Sequence, residues 1–183
     1  APGDTVDILS AAGQSLARAA YSPSSQIRAR LWSFDPSEQV DTDFFRRRLQ
    51  RSISARDSLL TARCSPLPAL RLVYAESDGL PGLIVDRYGD MLVLQALSAG
   101  AEYWKEILAD LLLELTGLVN IYERSDVEVR ELEGLPPKVG ILRGSMPHSK
   151  FTILENSLKF NVNIATGHKT GFYLDQCENR LRV

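Results

Sequence analysis

The sequence predicts an α+β protein. Short strands come first, a helical connector follows, and a central antiparallel sheet with one main packed helix completes the chain. Three observations carry this. Residues 70–76, 83–86 and 91–97 are strand-length runs separated by two turns, Asp78-Gly79-Leu80-Pro81-Gly82 and Tyr88-Gly89-Asp90. Residues 102–116 place Trp104, Ile107, Leu108, Leu111, Leu112 and Leu115 on one side of a helix, and Gly117 stops it. Strands, then a helix, then strands again is the order of a mostly antiparallel sheet with a helix on one face.

At 183 residues the chain has room for one ordinary domain or two small ones. Its 44% hydrophobic and 24% charged residues are ordinary for a soluble globular protein. No apolar run approaches the roughly 20 residues of a membrane helix, and the polar start Ala1-Pro-Gly-Asp-Thr5 does not look like a signal peptide. Cys64 and Cys177 make no disulfide framework, which fits a reducing cytoplasm. The net charge of -2 lacks the basic surplus of a bulk nucleic-acid binder. The charge is unevenly spread, however. Arg28, Arg30, Arg46, Arg47, Arg48, Arg51 and Arg56 lie in the first third, and a local basic face can bind RNA.

In chain order, Val6 and Ile8 alternate with Thr5 and Asp7 in a first strand, and Ala12-Gly13 turns the chain. Residues 16–21 form a second strand, ended by Pro23. Residues 26–32 alternate Ile27, Ala29 and Leu31 with Arg28 and Arg30, so both arginines share one face. That face is either solvated or an RNA contact. Asp41 and Asp43 open a helix with acids at its positive end, and Phe45, Leu49, Ile53 and Leu60 pack inward. Arg47 and Arg51 stand one turn apart on its outer face, again either solvated or phosphate-binding. The stretch Cys64-Ser-Pro-Leu-Pro68 ends the connector.

After the central meander and helix, residues 118–122 form a strand. Glu123-Arg124-Ser125-Asp126 reads as a structural ion pair in preference to a catalytic one, and Val127-Glu-Val-Arg130 extends the run. Residues 139–142, 151–154 and 158–162 are the last strands, with Asn156-Ser157 at a turn. No glycine-rich nucleotide loop and no metal-ligand spacing is present.

The closing stretch is the densest in chemistry. Residues 160–164 alternate as a half-buried strand. Gly167 and Gly171 bracket His168-Lys169-Thr170, so the backbone can approach a ligand. Phe172-Tyr173-Leu174 resumes an extended run. Asp175 stands three residues before Glu178, the spacing of a capping box, which predicts a helix from about Gln176.

This stretch, Lys169-Thr-Gly-Phe-Tyr-Leu-Asp-Gln-Cys-Glu-Asn-Arg180, resembles the signature of bacterial S-adenosylmethionine-dependent methyltransferases that act on C5 of a cytosine in large-subunit ribosomal RNA. Arg71-Leu-Val-Tyr-Ala-Glu-Ser-Asp78, Ile121-Tyr-Glu-Arg-Ser-Asp126 and Ser22-Pro-Ser-Ser-Gln-Ile-Arg-Ala-Arg30 extend the resemblance over essentially the whole chain. Cys177 departs from it, standing where the family has Arg.

The resemblance implies a plan: part of a PUA-like RNA-binding barrel at 1–34, the connector at 35–68, the central α+β domain at 69–166, and a hairpin and helix start at 167–183. These lead toward a Rossmann-like domain beyond Val183 that holds the catalytic cysteine. It also implies an S-adenosylmethionine site formed by Lys169, Thr170, Gly171, Phe172, Asp175 and Gln176, and RNA contacts from Arg28, Arg30, Arg47, Arg51 and Arg180. No metal is implied. The structural alternatives are a Lys169–Asp175 ion pair, core aromatics and an N-cap. Cys177 has a helix N-terminus that could activate it, but the resemblance places the nucleophile elsewhere. The expected partner is ribosomal RNA, with no membrane and a homodimer open. The rival functions are a stand-alone RNA-binding module without catalysis and a structural dimerisation domain.

Overall fold

The computed structural model describes residues 1–56, 69–146 and 150–182. Leu60, the Cys64–Pro68 stop and His148 lie outside the described residues. The first sheet has three antiparallel strands in the order β1 (Thr5–Leu9), β2 (Ser15–Tyr21) and β3 (Ala29–Ser33). Only residues 29–32 of the expected 26–32 run fall in β3, so Arg28 lies just before it.

Helix α1 (Thr42–Ser54) begins where its acids place it: the Asp41 carboxylate accepts from the Phe44 N–H at 2.9 Å. Phe44, Phe45, Leu49 and Ile53 are its buried face. Helix α2 (Ala99–Thr116) starts earlier than its amphipathic pattern does, because Ser98 caps it through Ala101 N–H at 3.2 Å. Gly117, with φ +68°, closes it. The two helices meet through Phe45 and Trp104, whose ring centroids lie 4.7 Å apart. Gly100 lets α2 press against the first sheet. A Cβ there would stand 2.4 Å from the Ala20 Cβ and 2.7 Å from the Trp32 ring.

The central sheet has five strands in sequence order: β4 (Ala69–Tyr74), β5 (Leu83–Tyr88), β6 (Met91–Ala96), β7 (Asn120–Ser125) and β8 (Lys138–Arg143). The expected meander is antiparallel, as is β7 with β8, but β6 and β7 run parallel because α2 carries the chain across between them. Strand β6 is buried at all six positions. Both its faces are covered, which accounts for its continuous apolar run. Leu92 and Leu94 join Leu83, Val85, Ile121 and the helices in one core. Met91 and Val93 join Tyr88 and Tyr122 in a second core beneath a separate hairpin. That hairpin is β9 (Lys150–Glu155) and β10 (Leu158–Asn163), turned by Asn156 and Ser157 at φ +50° and +66°.

Three sequence expectations fail locally. Val127–Arg130 does not extend the strand. The chain turns into a short helix, α3 (Val129–Leu132), because Arg130 is buried and donates to the Pro136 carbonyl at 2.8 and 3.0 Å. Phe172–Leu174 is not a strand; Leu174–Gln176 is a 3-10 turn before α4 (Cys177–Leu181). Asp175 does not cap that helix, since its carboxylate is held by Lys169.

Candidate functional site

The closing loop, residues 164–176, is fixed from beneath by the central sheet. Arg124 on β7 donates to the Ile164 carbonyl at 2.6 Å and the Gly167 carbonyl at 3.1 Å, while its Nε pairs with Asp126 at 3.1 Å. The ion pair expected at 123–126 is thus structural. Its neighbour Glu123 is engaged separately, by Lys105 at 3.0 Å. The Asn163 side chain accepts from Ala165 and Thr166 N–H. Gly167 makes the reversal possible, for a Cβ there would meet the Asn163 carbonyl oxygen at 2.4 Å.

Thr170 is the second anchor. It is fully buried, and its hydroxyl donates to Asp86 at 2.5 Å. A threonine hydroxyl carries one proton, so the contact with Tyr88 at 2.9 Å is donated by the tyrosine. Asp86, itself fully buried, also receives Arg71 Nε at 2.8 Å and Nη2 at 3.0 Å. Burial, then the charge of Asp86, push the Tyr88 hydroxyl well above its ordinary pKa, so it remains a donor. The Thr170 hydroxyl, expected at the cofactor, is therefore engaged inside the protein, where it holds the loop.

Between these anchors Lys169 is held at φ +55°, an uncommon conformation for a side-chain-bearing residue. Its ammonium sits 2.9 and 3.1 Å from the two Asp175 oxygens and 4.6 Å from the centre of the exposed Tyr173 ring. The Lys169 hydrogen bond keeps the Asp175 carboxyl below the usual carboxylate range. Gln176, half-buried, donates to Asp175 at 3.4 Å and accepts from Asn179 at 2.6 Å. Lys169, Tyr173, Asp175 and Gln176 therefore form one polar face with an aromatic ring, suited to a ligand bearing a carboxylate and a flat ring. Phe172 turns away from it, packing on Phe160 at 5.4 Å. Gly171, at φ +131°, sets the turn between Thr170 and Phe172. Cys177 lies beside Asn156, 3.7 Å from its side-chain nitrogen.

The expected RNA arginines divide. Arg180 anchors α4 by a two-pronged pair to Glu155 at 2.6 and 2.7 Å, and it stacks 4.3 Å above Phe172. These part-buried contacts make it a tie between α4 and the hairpin. Arg30 pairs with Glu133 at 3.0 Å and Glu76 at 3.3 Å, joining the first sheet to the central one. Arg28 is exposed and folds back on the Pro23 carbonyl. Arg47 is 61% exposed beside Glu38, and Arg51 is exposed on the same helix. The meeting point of α1 and β3 is instead Arg48, which with Arg30, Ile27, Phe34 and Glu76 lines a cavity of about 430 Å3.

A second cavity, of about 370 Å3, adjoins the closing loop and was not foreseen. Arg56, Ala69, Leu70, Arg71, Tyr74, Lys169, Leu174 and Asp175 line it. Arg56 is held by Asp78 at 2.9 and 3.1 Å, and Asp78 also accepts from the Tyr74 N–H at 2.5 Å, the turn role expected of it. The Arg71 guanidinium lies 5.1 Å from the Tyr74 ring centre. Arg71 and Tyr74 were visible only within the quoted motif; nothing in their spacing announces a shared cavity with residues 95 or more positions on.

Among the described residues, no cluster of three or more His, Cys, Asp or Glu could hold a metal, and no helix is long and apolar enough to cross a membrane. A PUA-like domain model matches residues 1–34. Ribosomal RNA large subunit methyltransferase I of Aliivibrio fischeri strain MJ11 is 52% identical over 181 residues, which is 99% of this chain and 45% of that protein. The protein of the same name from Shewanella denitrificans is 50% identical over 179 residues, 97% of this chain and 44% of that one. Among solved structures, a chain from Streptococcus mutans assigned as a SAM-dependent methyltransferase superposes with a TM-score of 0.81 at 23% identity, covering 100% of this chain and 46% of that one. Another, SMU.776, assigned as a methyltransferase and complexed with SAH, gives 0.80 at 23% identity, covering 98% of this chain and 44% of that one. At such identities these two establish a shared fold. The chain is therefore similar, over nearly all its residues, to ribosomal RNA large subunit methyltransferase I, and it spans about half the length of the curated relatives it matches.

Proposed function

We propose that this chain is the RNA-recognising and cofactor-framing portion of an S-adenosylmethionine-dependent methyltransferase that modifies C5 of a cytosine in large-subunit ribosomal RNA. The observation that supports the reading is the 52% identity over 181 residues to a protein named ribosomal RNA large subunit methyltransferase I. The loop geometry supports it. Two internal anchors, Arg124 and the Thr170–Asp86 pair, present Lys169, Tyr173, Asp175 and Gln176 on one face.

S-adenosylmethionine supplies an electrophilic methyl group when bound. Lys169 would hold the cofactor carboxylate, Tyr173 would offer a flat surface to its adenine, and Asp175 and Gln176 would take its polar hydrogens. The Lys169–Asp175 pair is largely exposed, with side-chain exposures of 40% and 59%, so exchanging one partner for a ligand costs little. Addition at C6 of the cytosine needs a nucleophile, for which a thiolate is suited. We do not assign that role to Cys177, whose sulfur lies 3.7 Å from the Asn156 side-chain nitrogen. A reducing cytoplasm suits both the thiolate and the substrate. The experiment is methyl transfer to ribosomal RNA by the full gene product, with Lys169→Ala beside wild type. Loss of transfer in the variant supports the reading, and wild-type transfer in it removes Lys169 from the site.

A further inference from the structure

We infer that the cavity of about 370 Å3 beside the closing loop is a subsite for one unstacked nucleotide of single-stranded RNA, with its base on Tyr74 and its phosphate among Arg56, Arg71 and Lys169. This rests on the RNA-methyltransferase reading above.

The volume falls within the range of about 300–1,000 Å3 usual for small-ligand sites. Its chemistry is that of a nucleotide. Three cations arrive from three separate places: Arg56 just past α1, Arg71 in β4, and Lys169 in the closing loop. Asp78 and Asp86 hold the two guanidinium groups but do not line the cavity, so the cavity meets the arginines before it meets their carboxylates. Among the described residues Asp175 is the one acid in the lining, and it belongs to the exposed pair with Lys169. An arriving phosphate would replace it there at small cost.

Tyr74 is 51% exposed although it borders the fold's main sheet. Its ring is backed by the Arg71 guanidinium at 5.1 Å. An aromatic ring beside cations is the recurring platform for an unstacked base, whatever its identity. S-adenosylmethionine fits this cavity less well, since its sulfonium would enter a ring of like charges. Its carboxylate can still reach Lys169 from the loop side. A nucleotide seated here would lie next to the proposed cofactor face, where a base must arrive for methyl transfer.

The test is fluorescence anisotropy of a labelled single-stranded RNA oligonucleotide with the 183-residue chain, without cofactor, over a range of salt concentrations. Tyr74→Ala should weaken binding about tenfold, in the range of one lost base–aromatic stack. Tyr103→Ala, a comparably exposed tyrosine on α2, should leave it unchanged. Asp175→Asn should tighten binding and steepen its salt dependence, because Lys169 is released to a phosphate. A folding defect would not produce that gain, so this variant decides the matter if Tyr74→Ala is unstable. Wild-type affinity in both variants overturns the subsite and leaves the RNA reading standing. Absence of RNA binding by the unsubstituted chain overturns both. Weakened S-adenosylmethionine binding by Tyr74→Ala with unchanged RNA affinity assigns the cavity to the cofactor and also overturns the inference.

Discussion

Replacing Thr170 by valine removes one hydroxyl and almost nothing else. The side chain is fully buried, and valine matches its shape. Two hydrogen bonds are lost. One is donated to the Asp86 carboxylate at 2.5 Å, and a bond to a charged group contributes about 1.5–3 kcal/mol. The other is accepted from Tyr88 at 2.9 Å; leaving that hydroxyl unsatisfied costs about 1–3 kcal/mol. Asp86 retains both contacts with Arg71, so its charge stays paired and part of the first loss is offset; the Phe172 N–H beside the Tyr88 oxygen is a donor and cannot take the freed tyrosine proton. A net loss of about 2–4 kcal/mol follows. For a chain of this length each kcal/mol lowers Tm by about 2–4 °C, so the drop should be about 4–16 °C. Calorimetry measures it. Hydrogen exchange should also quicken at the amides of residues 167–171, because Lys169 is kept at positive φ by its anchored neighbours. An unchanged Tm with unchanged exchange would refute the claim that Thr170 pins the loop.

Glu133 ties the first sheet to α2, accepting from Ser22 at 2.8 Å, Ala99 N–H at 3.1 Å and Arg30 at 3.0 Å. Burial works against its charge, but these donors, with Ser25, more than offset it and keep the carboxyl below its ordinary value. Because the folded-state pKa is depressed, the stabilisation is complete above the ordinary value near 4.5 and is lost as pH falls through the folded one. Glu133→Gln should lower Tm at neutral pH and flatten the acid limb of a Tm-against-pH curve; a parallel curve would remove Glu133 as its source. Arg47→Glu with Arg51→Glu should weaken RNA binding and reduce its salt slope, since both side chains are exposed on one face of α1. An unchanged slope would leave them plain solvated residues.

Much of the architecture is legible because its causes are local. Alternation placed most strands to within a few residues. Asp41 and Gly117 announced helix ends, and Asn156-Ser157 announced a tight turn. Two of the failures have a common cause, which is competition from a partner outside the local helix or strand pattern. Asp175 has the spacing of a cap, yet Lys169 takes its carboxylate. Val127–Arg130 has a strand-like pattern, yet Arg130 is drawn inward to the Pro136 carbonyl. The start of α2 was missed because Ala99-Gly-Ala101 carries no amphipathic signal, while Ser98 caps it. At the candidate site, the motif directed attention to the closing loop, but it could not separate residues that face outward from those that anchor. Thr170 and Arg180 are polar residues in a motif, and only the fold shows Asp86 and Glu155 meeting them. Arg30 and Glu133 stand 103 positions apart, so no window of sequence could pair them.

The central claim is tested most directly by methyl transfer. The full gene product, S-adenosylmethionine with a tritiated methyl group, and large-subunit ribosomal RNA lacking its modifications are incubated together, and the labelled nucleotide is isolated. The account predicts incorporation at a cytosine, with the label on C5, and loss of most of that incorporation in Lys169→Ala. Incorporation at another base or position, or none with a folded full-length protein, would contradict it.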